Sequence, residues 1–248
     1  MRNDKIEIVK TNLETINPFR VMFLHENNFQ FVCDKCHYYG WSDDYLFKID
    51  DTVIGYGSVW GTDKREDRDT IFEFYLLPHY RNLATPVFKL FITATSTIYI
   101  ECQSNDLFFS SMLYEFSSSI VTEAILFADD VETHLQISDV KFQRNPTDDD
   151  NPSHFGGFVL EYNGEVVADG GFMINYNKPY GDIYMDVKEG HRGKGYGSLI
   201  VQELKKEVYR IGRVPAARCN VTNQASKSTL LKAGFAVCGA RLKGRIRI

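Results

Sequence analysis

The sequence predicts an α/β protein made of two similar halves, and three observations support this. In the second half, residues 182–209 read as a strand, a turn of small residues and a helix. A stretch of apolar alternation at 158–174, typical of a β-hairpin, precedes that unit. The first half repeats the order hairpin, strand and helix over residues 45–92. We therefore expect two tandem domains, at 1–130 and 131–248, that arose by duplication.

The elements of the second half follow from turn residues and from apolar spacing. Strands are predicted at 158–162 and 165–174, because Asn163-Gly164 between them supplies the positive φ angles of a tight hairpin turn. A third strand at 182–187 leads into a helix over 198–209. The apolar residues of this helix recur at helical spacing, at Leu199, Ile200, Leu204 and Val208. The half is completed by a strand at Ala217–Val221, a helix at Gln224–Lys232 capped by Asn223, and a closing strand with Phe235 and Val237.

The first half can be laid on the second with few insertions. A hairpin at 45–60 is followed by a strand that leads to Arg81, which aligns with Arg192 at a shift of 111 residues. Further on, Cys102 aligns with Cys219 at a shift of 117 residues. The difference fits a few inserted loop residues, and a chance likeness of two α/β domains is the alternative.

Charge is distributed unequally between the halves. The chain of 248 residues has a net charge of −5. Residues 1–130 hold 11 Lys and Arg against 20 Asp and Glu, a net of −9, whereas the remainder holds 17 against 13, a net of +4. This asymmetry suggests that the basic half meets an anion and the acidic half a cation, although solvated charged faces would produce it too. The acidic stretch within 129–150 is the expected linker.

Composition narrows the class of protein and its compartment. Five scattered cysteines, an odd number, indicate reduced thiols rather than a disulfide framework. No apolar run resembles a signal peptide or approaches the ~20 residues of a spanning helix, so we expect a cytoplasmic protein that binds no membrane. No basic and aromatic patch indicates nucleic acid. The Cys33-x-x-Cys36-His37 string resembles a haem attachment motif or half of a zinc site, but no second ligand pair follows, and we expect no metal.

A glycine loop after the strand at 182–187 indicates an anion site. The residues His191-Arg192-Gly193-Lys194-Gly195-Tyr196-Gly197 open the following helix. Glycine allows successive backbone N–H groups to point at one anion, and the helix dipole adds to the attraction. The spacing fits neither a P-loop nor the dinucleotide fingerprint. A phosphate is the expected guest, with Arg192 and Lys194 at the rim.

The loop resembles the Arg/Gln-x-x-Gly-x-Gly/Ala motif of the GNAT superfamily of N-acetyltransferases. The motif positions are Arg192, Gly195 and Gly197, followed by Asn223, Ser226, Lys232, Gly234 and Phe235 at the family's later positions. The likeness covers residues 155–246. It implies a mixed β-sheet splayed open at one strand pair and flanked by helices, with acetyl-CoA as the ligand.

The resemblance also implies roles for individual residues. Backbone N–H groups from Arg192 to Ser198 would hold the pyrophosphate, and Asn223 would face the pantetheine or the end of the cofactor. Met185 and Val187 would pair with the pantetheine arm. A main-chain N–H near Val187 would polarise the thioester carbonyl, as an oxyanion hole does. The full set implied for the cofactor is Met185, Val187, Arg192, Gly193, Lys194, Gly195, Tyr196, Gly197, Ser198 and Asn223.

The implied reaction is attack of a primary amine on the thioester, with CoA leaving as a thiolate. Asp182, Asp186 and Glu189 are the candidates that would remove the proton of the amine. Alternation along the strand puts Asp182 and Asp186 on one face and Met185 and Val187 on the other.

The general acid of many relatives is missing here. Those enzymes carry a tyrosine seven residues after the motif asparagine, where this chain has Leu230. Ser228, Tyr184 or Tyr196 are possible substitutes, and an unaided thiolate is another route because a thiol is a modest acid.

The first copy lacks the glycines of the loop. Asn82, Ala84 and Pro86 stand at the corresponding positions, and proline has no N–H to donate. We therefore expect a degenerate first domain that binds no CoA and an active second domain. The expected acceptor is a small cationic amine, and the expected protein is a monomer or homodimer. A non-catalytic acyl-CoA-binding module and a transferase of longer acyl or aminoacyl groups are the alternatives.

Overall fold

A computed structural model describes residues 5–26, 29–31, 34–145 and 154–247. The chain divides into two compact units. Unit 1 comprises Met1–Phe29, Asp34–Glu123 and Ala240–Ile248, and unit 2 comprises Gln30–Cys33 and Ala124–Gly239. In the described part of the chain, no helix is long and apolar enough to cross a membrane.

In its described residues, unit 1 is a mixed sheet with four α-helices. Its helices are α1 (Leu13–Glu26), α2 (Asp34–Tyr38), α3 (Ala84–Thr95) and α4 (Leu107–Phe116), with a 3₁₀ helix at Pro78–Leu83. Its strands are β1 (Ile6–Thr11), β2 (Ser42–Ile49), β3 (Thr52–Trp60), β4 (Thr70–Leu76), β5 (Tyr99–Gln103), the first part of β6 (Ser117–Asp129) and the last part of β12 (Phe235–Ile246). The order β1-β2-β3-β4-β5-β12 is antiparallel except for the parallel pair β4 and β5.

Unit 2 repeats this plan. Its strands are the rest of β6, β7 (Val140–Arg144), β8 (His154–Tyr162), β9 (Glu165–Met173), β10 (Tyr180–Val187), β11 (Val214–Asn220) and the start of β12. Its helices are α5 (Tyr196–Arg210) and α6 (Gln224–Lys232), with a 3₁₀ helix at Glu189–His191. The order β7-β8-β9-β10-β11-β6 is again antiparallel except for one parallel pair, β10 and β11.

Both sheets are splayed at their parallel pair, as predicted. In unit 2, β10 and β11 pair only from Tyr180 with Val214 to Ile183 with Ala217. In unit 1 the pairing of β4 with β5 is limited to two residues of each strand. Beyond these points the parallel strands have no paired residues, which leaves an opening at the carboxyl ends of β4 and β10.

The last strand departs from the predicted boundary. A division at residue 130 places the whole carboxyl end in the second domain, but residues 240–248 belong to unit 1. The reason is hydrogen bonding, because β12 pairs with β5 from Arg241 with Gln103 to Arg245 with Tyr99. The predicted linker within 129–150 lies partly outside the described residues, since 146–150 are not described.

Local signals account for the elements that position the site in unit 2. The predicted hairpin forms because Asn163 and Gly164 adopt φ angles of 51° and 81°. Helix α5 buries its apolar stripe against the sheet, with Ile200, Leu204 and Val208 fully buried. They pack in one core with residues of β8 to β11. This packing fixes the start of α5 next to the end of β10.

A network of charged side chains is buried in unit 1. Glu73 on β4 accepts hydrogen bonds from Arg20 at 3.1 Å and from the Tyr56 hydroxyl at 2.9 Å. The His37 Nε2 atom lies 3.2 Å from Glu73 Oε1, and its Nδ1 atom lies 3.1 Å from Asp44 Oδ1. Burial opposes ionisation of Glu73, but Arg20 and His37 outweigh it and lower the pKa of Glu73 to about 2. Burial likewise opposes a charged His37, whereas Glu73 and Asp44 raise the pKa of His37 to about 9.

The cysteine and histidine string falls in this region. Cys33 lies outside the described residues, and Cys36 is buried. His37 is engaged by the carboxylates of the network. The described residues contain no group of three or more His, Cys, Asp and Glu side chains that could hold a metal ion.

Candidate active site

The glycine loop of unit 2 forms a sharp turn between β10 and α5. Gly193 and Gly195 have φ angles of 76° and 90°, in the left-handed region that favours glycine. Gly195 is the residue that caps the amino end of α5. The loop therefore reverses the chain at the splay and presents the first turn of the helix to the opening.

The backbone donors of this turn are the main feature of the site. Among the described residues, the N–H groups from Gly193 to Ser198 donate to no protein acceptor, and the first bond of the helix is Leu199 N–H to the Gly195 carbonyl. Tyr196, Gly197 and Ser198 are buried, so their N–H groups face a shielded space. Arg192 differs from the predicted set because its own N–H donates to the Glu189 carbonyl at 3.3 Å. The donor array thus begins at Gly193 rather than at Arg192.

Gly197 allows α5, α6 and β10 to meet closely. A Cβ atom at Gly197 would lie 3.1 Å from Thr229 Cγ2 and 3.3 Å from Val187 Cγ2. The Ser198 hydroxyl donates to the Thr229 carbonyl at 3.1 Å and ties the two helices together. Even an alanine at 197 would require Thr229 or Val187 to shift by a few tenths of an ångström, and a larger side chain would require more.

A cleft of about 580 Å³ lies in front of these donors. Its walls include nine of the ten residues predicted for the cofactor. The nine are Met185, Val187, Arg192, Gly193, Gly195, Tyr196, Gly197, Ser198 and Asn223. Lys194 is not among the lining residues, because its ammonium folds back to donate to the Gly190 carbonyl at 3.1 Å.

Helix α6 adds a cation to the cleft that the sequence did not single out for the site. Lys232 lines the cleft, and its Nζ atom lies 4.0 Å from the position of a Cβ at Gly195. The signal in the sequence was a basic residue in the last turn of α6, but such residues commonly interact with the helix carboxyl end. Ala225, Ser226, Ser228 and Thr229 complete the α6 wall.

The side chain of Arg192 fastens the loop to the strand. Its Nε atom donates to the Val187 carbonyl at 3.1 Å, and an Nη atom lies 3.8 Å from Asp186. In unit 1, Arg81 Nε donates to the Leu76 carbonyl at 3.3 Å in the same manner. The arginine of the motif therefore holds the end of the strand in both units.

The predicted proton acceptors lie in different places. Asp186 lines the cleft, and its side chain is 71% exposed. Asp182 does not line the cleft, because it is buried on the opposite face and pairs with Arg218 at 3.4 Å. Asp169 on β9 lies directly across from Asp186. Burial, and next the Asp186 carboxylate, raise the pKa of Asp169.

Of the candidates for a general acid, some line the cleft and others do not. Leu230 is buried in the core of unit 2 and contributes no proton donor. Ser228 and Tyr196 line the cleft, whereas Tyr184 does not. Glu189, the third predicted proton acceptor, lies in the short 3₁₀ helix before the loop and does not line the cleft.

Comparison with known proteins gives the family of the second half. The model of the acetyltransferase (GNAT) family matches residues 122–235. These residues form a GNAT acetyltransferase domain. Among curated proteins, none matches the chain.

Solved structures share the fold over nearly the whole chain, including unit 1. A GNAT-family acetyltransferase from Colwellia psychrerythraea superposes with a TM-score of 0.77 at 14% identity, covering 98% of this chain and 100% of that one. A tandem GNAT protein from the clavulanic acid biosynthesis pathway gives 0.60 at 11% identity, covering 97% and 98%. A GCN5-related N-acetyltransferase from Sphaerobacter thermophilus gives 0.55 at 12% identity, covering 83% and 81%. The chain thus consists of two GNAT-like folds in tandem.

The first GNAT-like copy keeps the framework of the second but not its donors. Asp106 caps α4 by accepting from the Phe109 N–H at 2.9 Å, just as Asn223 caps α6 by accepting from the Ser226 N–H at 3.0 Å. At the start of α3, however, no residue between Pro78 and Thr95 has a positive φ. Without that turn, the array of outward N–H groups is not formed.

An aromatic residue takes up the corresponding space in the first copy. At the shift of 117 residues, Phe108 corresponds to Ala225 of the cleft wall. Its ring stacks on Phe74 with centroids 5.6 Å apart, and the Arg81 guanidinium lies 4.9 Å from its centroid. In unit 1, the position of the cleft-wall residue Ala225 is therefore taken by an aromatic ring with an arginine over it.

Proposed function

We propose that the GNAT domain of unit 2 transfers the acetyl group of acetyl-CoA to the primary amine of a small cationic substrate. Membership of the family supports acyl transfer from an acyl-CoA. The observation that carries the proposal is the array of unpaired backbone N–H groups from Gly193 to Ser198 at the cleft. Such an array at a helix amino end binds phosphate oxygens.

The residues of the cleft fit the parts of acetyl-CoA. The loop donors and Lys232 suit the pyrophosphate, because both direct positive charge into the same space. Beyond Ile183, β10 is not paired with β11, so the strand edge at Met185 and Val187 suits the amide groups of the pantetheine arm. Asn223 at the start of α6 lines the same cleft.

The chemistry requires a neutral amine and a stabilised oxyanion. Asp186 is the proposed proton acceptor, because it is the predicted carboxylate that lines the cleft. The main chain near Val187 would donate to the developing oxyanion. Ser228 is the proposed proton donor to the leaving thiolate. Asp182, the other carboxylate predicted on β10, pairs with Arg218 and does not line the cleft, so it takes no part in the proposed proton transfer.

The proposed acceptor class follows from charge. The facing carboxylates Asp169 and Asp186 lie at the end of β10, and the first half of the chain is acidic. Both favour an approaching ammonium group. We place the reaction on free small molecules in the cytoplasm, with the protein a monomer or a homodimer; these points stay predictions from the sequence.

Release of free CoA thiol from acetyl-CoA across a panel of amines tests the proposal. Turnover with cationic amines that saturates with amine concentration is the expected result. Tight CoA binding without turnover would instead support a non-catalytic binding module. The presence of Leu230 where many relatives have a tyrosine favours that alternative. Turnover with a longer acyl-CoA but not with acetyl-CoA would support a transferase of longer acyl or aminoacyl groups.

The first copy is expected to bind no CoA. Calorimetric titration of the full chain should give one CoA per chain, because no residue between β4 and the start of α3 has a positive φ and Phe108 stands at the cleft position. The full chain is required, since unit 1 takes its last strand from residues 240–248. A stoichiometry of two would show that the first copy is also a CoA site.

A further inference from the structure

A segment of unit 2 outside its helices and strands, residues 130–138, runs along helix α5 towards the glycine loop, and we call it the strap. Its start is fixed at the carboxyl end of α6, because the N–H groups of Asp130 and Val131 donate to the Gly234 carbonyl at 3.1 and 2.9 Å. The Lys205 ammonium of α5 donates to the Val131 carbonyl at 2.8 Å. The strap therefore begins beside the third turn of α5 and continues back towards the start of the helix.

The middle of the strap is held by the side-chain amide of Gln202 on α5. Its Oε1 atom accepts from the Thr133 hydroxyl at 2.9 Å and from the Leu135 N–H at 2.6 Å. Its Nε2 atom donates to the Leu135 carbonyl at 3.2 Å and to the Glu203 carboxylate at 2.9 Å. Gln202 is 4% exposed. The amide therefore uses both of its donors and both acceptor sites in a place shielded from water, and three of the four bonds go to the strap.

Apolar packing alone does not fix the end of the strap. Leu135 and Ile137 are only partly buried against the core of unit 2. Both also line a cavity of about 570 Å³ beside α5, which is separate from the cofactor cleft. A side chain with empty space on one side lacks the van der Waals contacts there that would resist its movement. The hydrogen bonds of Gln202 therefore decide where the end of the strap lies.

The end of the strap reaches the glycine loop. Two side chains lie within 4 Å of the position that a Cβ on Gly195 would occupy, Ile137 Cδ1 at 3.5 Å and Lys232 Nζ at 4.0 Å. Among the described residues, no such neighbour lies at Gly193. Glycine is the residue with the greatest backbone freedom, so a loop with two glycines needs contacts from outside to keep one conformation. Ile137 supplies the apolar contact of this kind at Gly195.

We propose that Gln202 is a positioning residue for the cofactor, because it fixes the strap and the strap holds Ile137 against Gly195. This inference rests on the proposed binding of CoA at the same loop. Gln202 does not line the cofactor cleft, so it acts through Ile137 rather than by touching the ligand. A loop that already has its binding conformation loses less conformational freedom when phosphate binds, and its affinity is higher for that reason.

Calorimetric titration of CoA against the full chain tests this with three variants and a control. Gln202→Met keeps the length of the side chain but removes its bonds to the strap, and it should raise the Kd about tenfold, the cost of fixing about one more backbone residue on binding. Ile137→Ala should weaken binding to a similar extent. The double variant should bind no more weakly than the weaker of the two single variants, since both remove the same contact. Arg210→Met, at the exposed end of α5, should bind as the wild type does.

Steady-state kinetics separates positioning of the cofactor from a general loss of structure. With an amine that the wild type acetylates, Gln202→Met should raise the KM for acetyl-CoA about tenfold and leave kcat and the KM for the amine within about twofold of the wild type. A fall in kcat with an unchanged KM for acetyl-CoA would contradict the inference.

The other outcomes of the titration decide as clearly. Wild-type affinity in Gln202→Met would overturn the inference and leave the proposed CoA site standing. Additive losses in the double variant would also overturn it, because Gln202 would then not act through Ile137. Should Gln202→Met fail to fold, Ile137→Ala decides alone, since it removes no hydrogen bond, and wild-type affinity in that variant would overturn the inference. A wild type that binds no CoA would overturn the proposed function, and this inference with it.

Discussion

Replacing Gly195 with alanine is expected to weaken CoA binding about 100-fold, through the backbone conformation rather than through bulk. Gly195 has a φ of 90°, where a Cβ is strained. The added Cβ itself has room, since its nearest neighbour would be Ile137 Cδ1 at 3.5 Å. Relaxing the strain turns the loop, and the loss of two N–H bonds to phosphate at about 1.5 kcal/mol each gives roughly this factor.

Calorimetric titration of CoA against the full chain measures this effect. Gly190→Ala is the matched control, because Gly190 precedes the loop, has no positive φ and has open space around it. Its affinity for CoA should equal that of the wild type. Unchanged affinity in Gly195→Ala would remove the loop donors from the binding site.

Gly197→Glu is expected to abolish binding altogether, for two reasons. The new carboxylate would occupy the place of a phosphate and repel it. The structure adds that even the Cβ would press on Thr229 and Val187. This variant therefore tests the packing of the site, whereas Gly195→Ala tests the donors themselves.

The parts of the site that the sequence predicts are those fixed by local chemistry. Gly193 and Gly195 mark a turn because few other residues adopt a positive φ, and Asn223 marks a helix start because its side chain accepts from the Ser226 N–H. Each of these signals acts within a few residues.

The parts that the sequence misses depend on pairings between distant segments. Residues 240–248 join unit 1 through hydrogen bonds to β5, more than 130 residues earlier in the chain. The position of Lys232 over the loop depends on the close contact of α6 with Gly197. Asp182 is buried and pairs with Arg218 of another strand, whereas Asp186 is exposed at the cleft. Alternation along one strand cannot report such contacts.

Replacing Glu73 with glutamine is expected to destabilise unit 1 by about 3–5 kcal/mol, the usual cost of removing one partner from a buried ion pair. Glu73 is 1% exposed, and its loss leaves Arg20 and His37 buried without their shared carboxylate. Urea unfolding followed by tryptophan fluorescence reports on unit 1, because both tryptophans of the chain, Trp41 and Trp60, lie there. Glu7→Gln on the exposed surface of β1 is the control and should change stability by no more than about 0.5 kcal/mol. A similar, small change in both variants would show that the network contributes little.

The same network predicts how the stability of unit 1 depends on pH. Glu73 has a pKa of about 2, below its ordinary value of 4.5, so its contribution is present above 4.5 and is lost as the pH falls towards 2. His37 has a pKa of about 9, above its ordinary value of 6.5, so its contribution is present below 6.5 and is lost as the pH rises through 9. The urea midpoint from tryptophan fluorescence should therefore be highest between pH 4.5 and 6.5 and should fall on either side. In His37→Gln the alkaline fall should flatten, because no proton is then lost on that limb; an equally steep alkaline fall in this variant would assign it to another group.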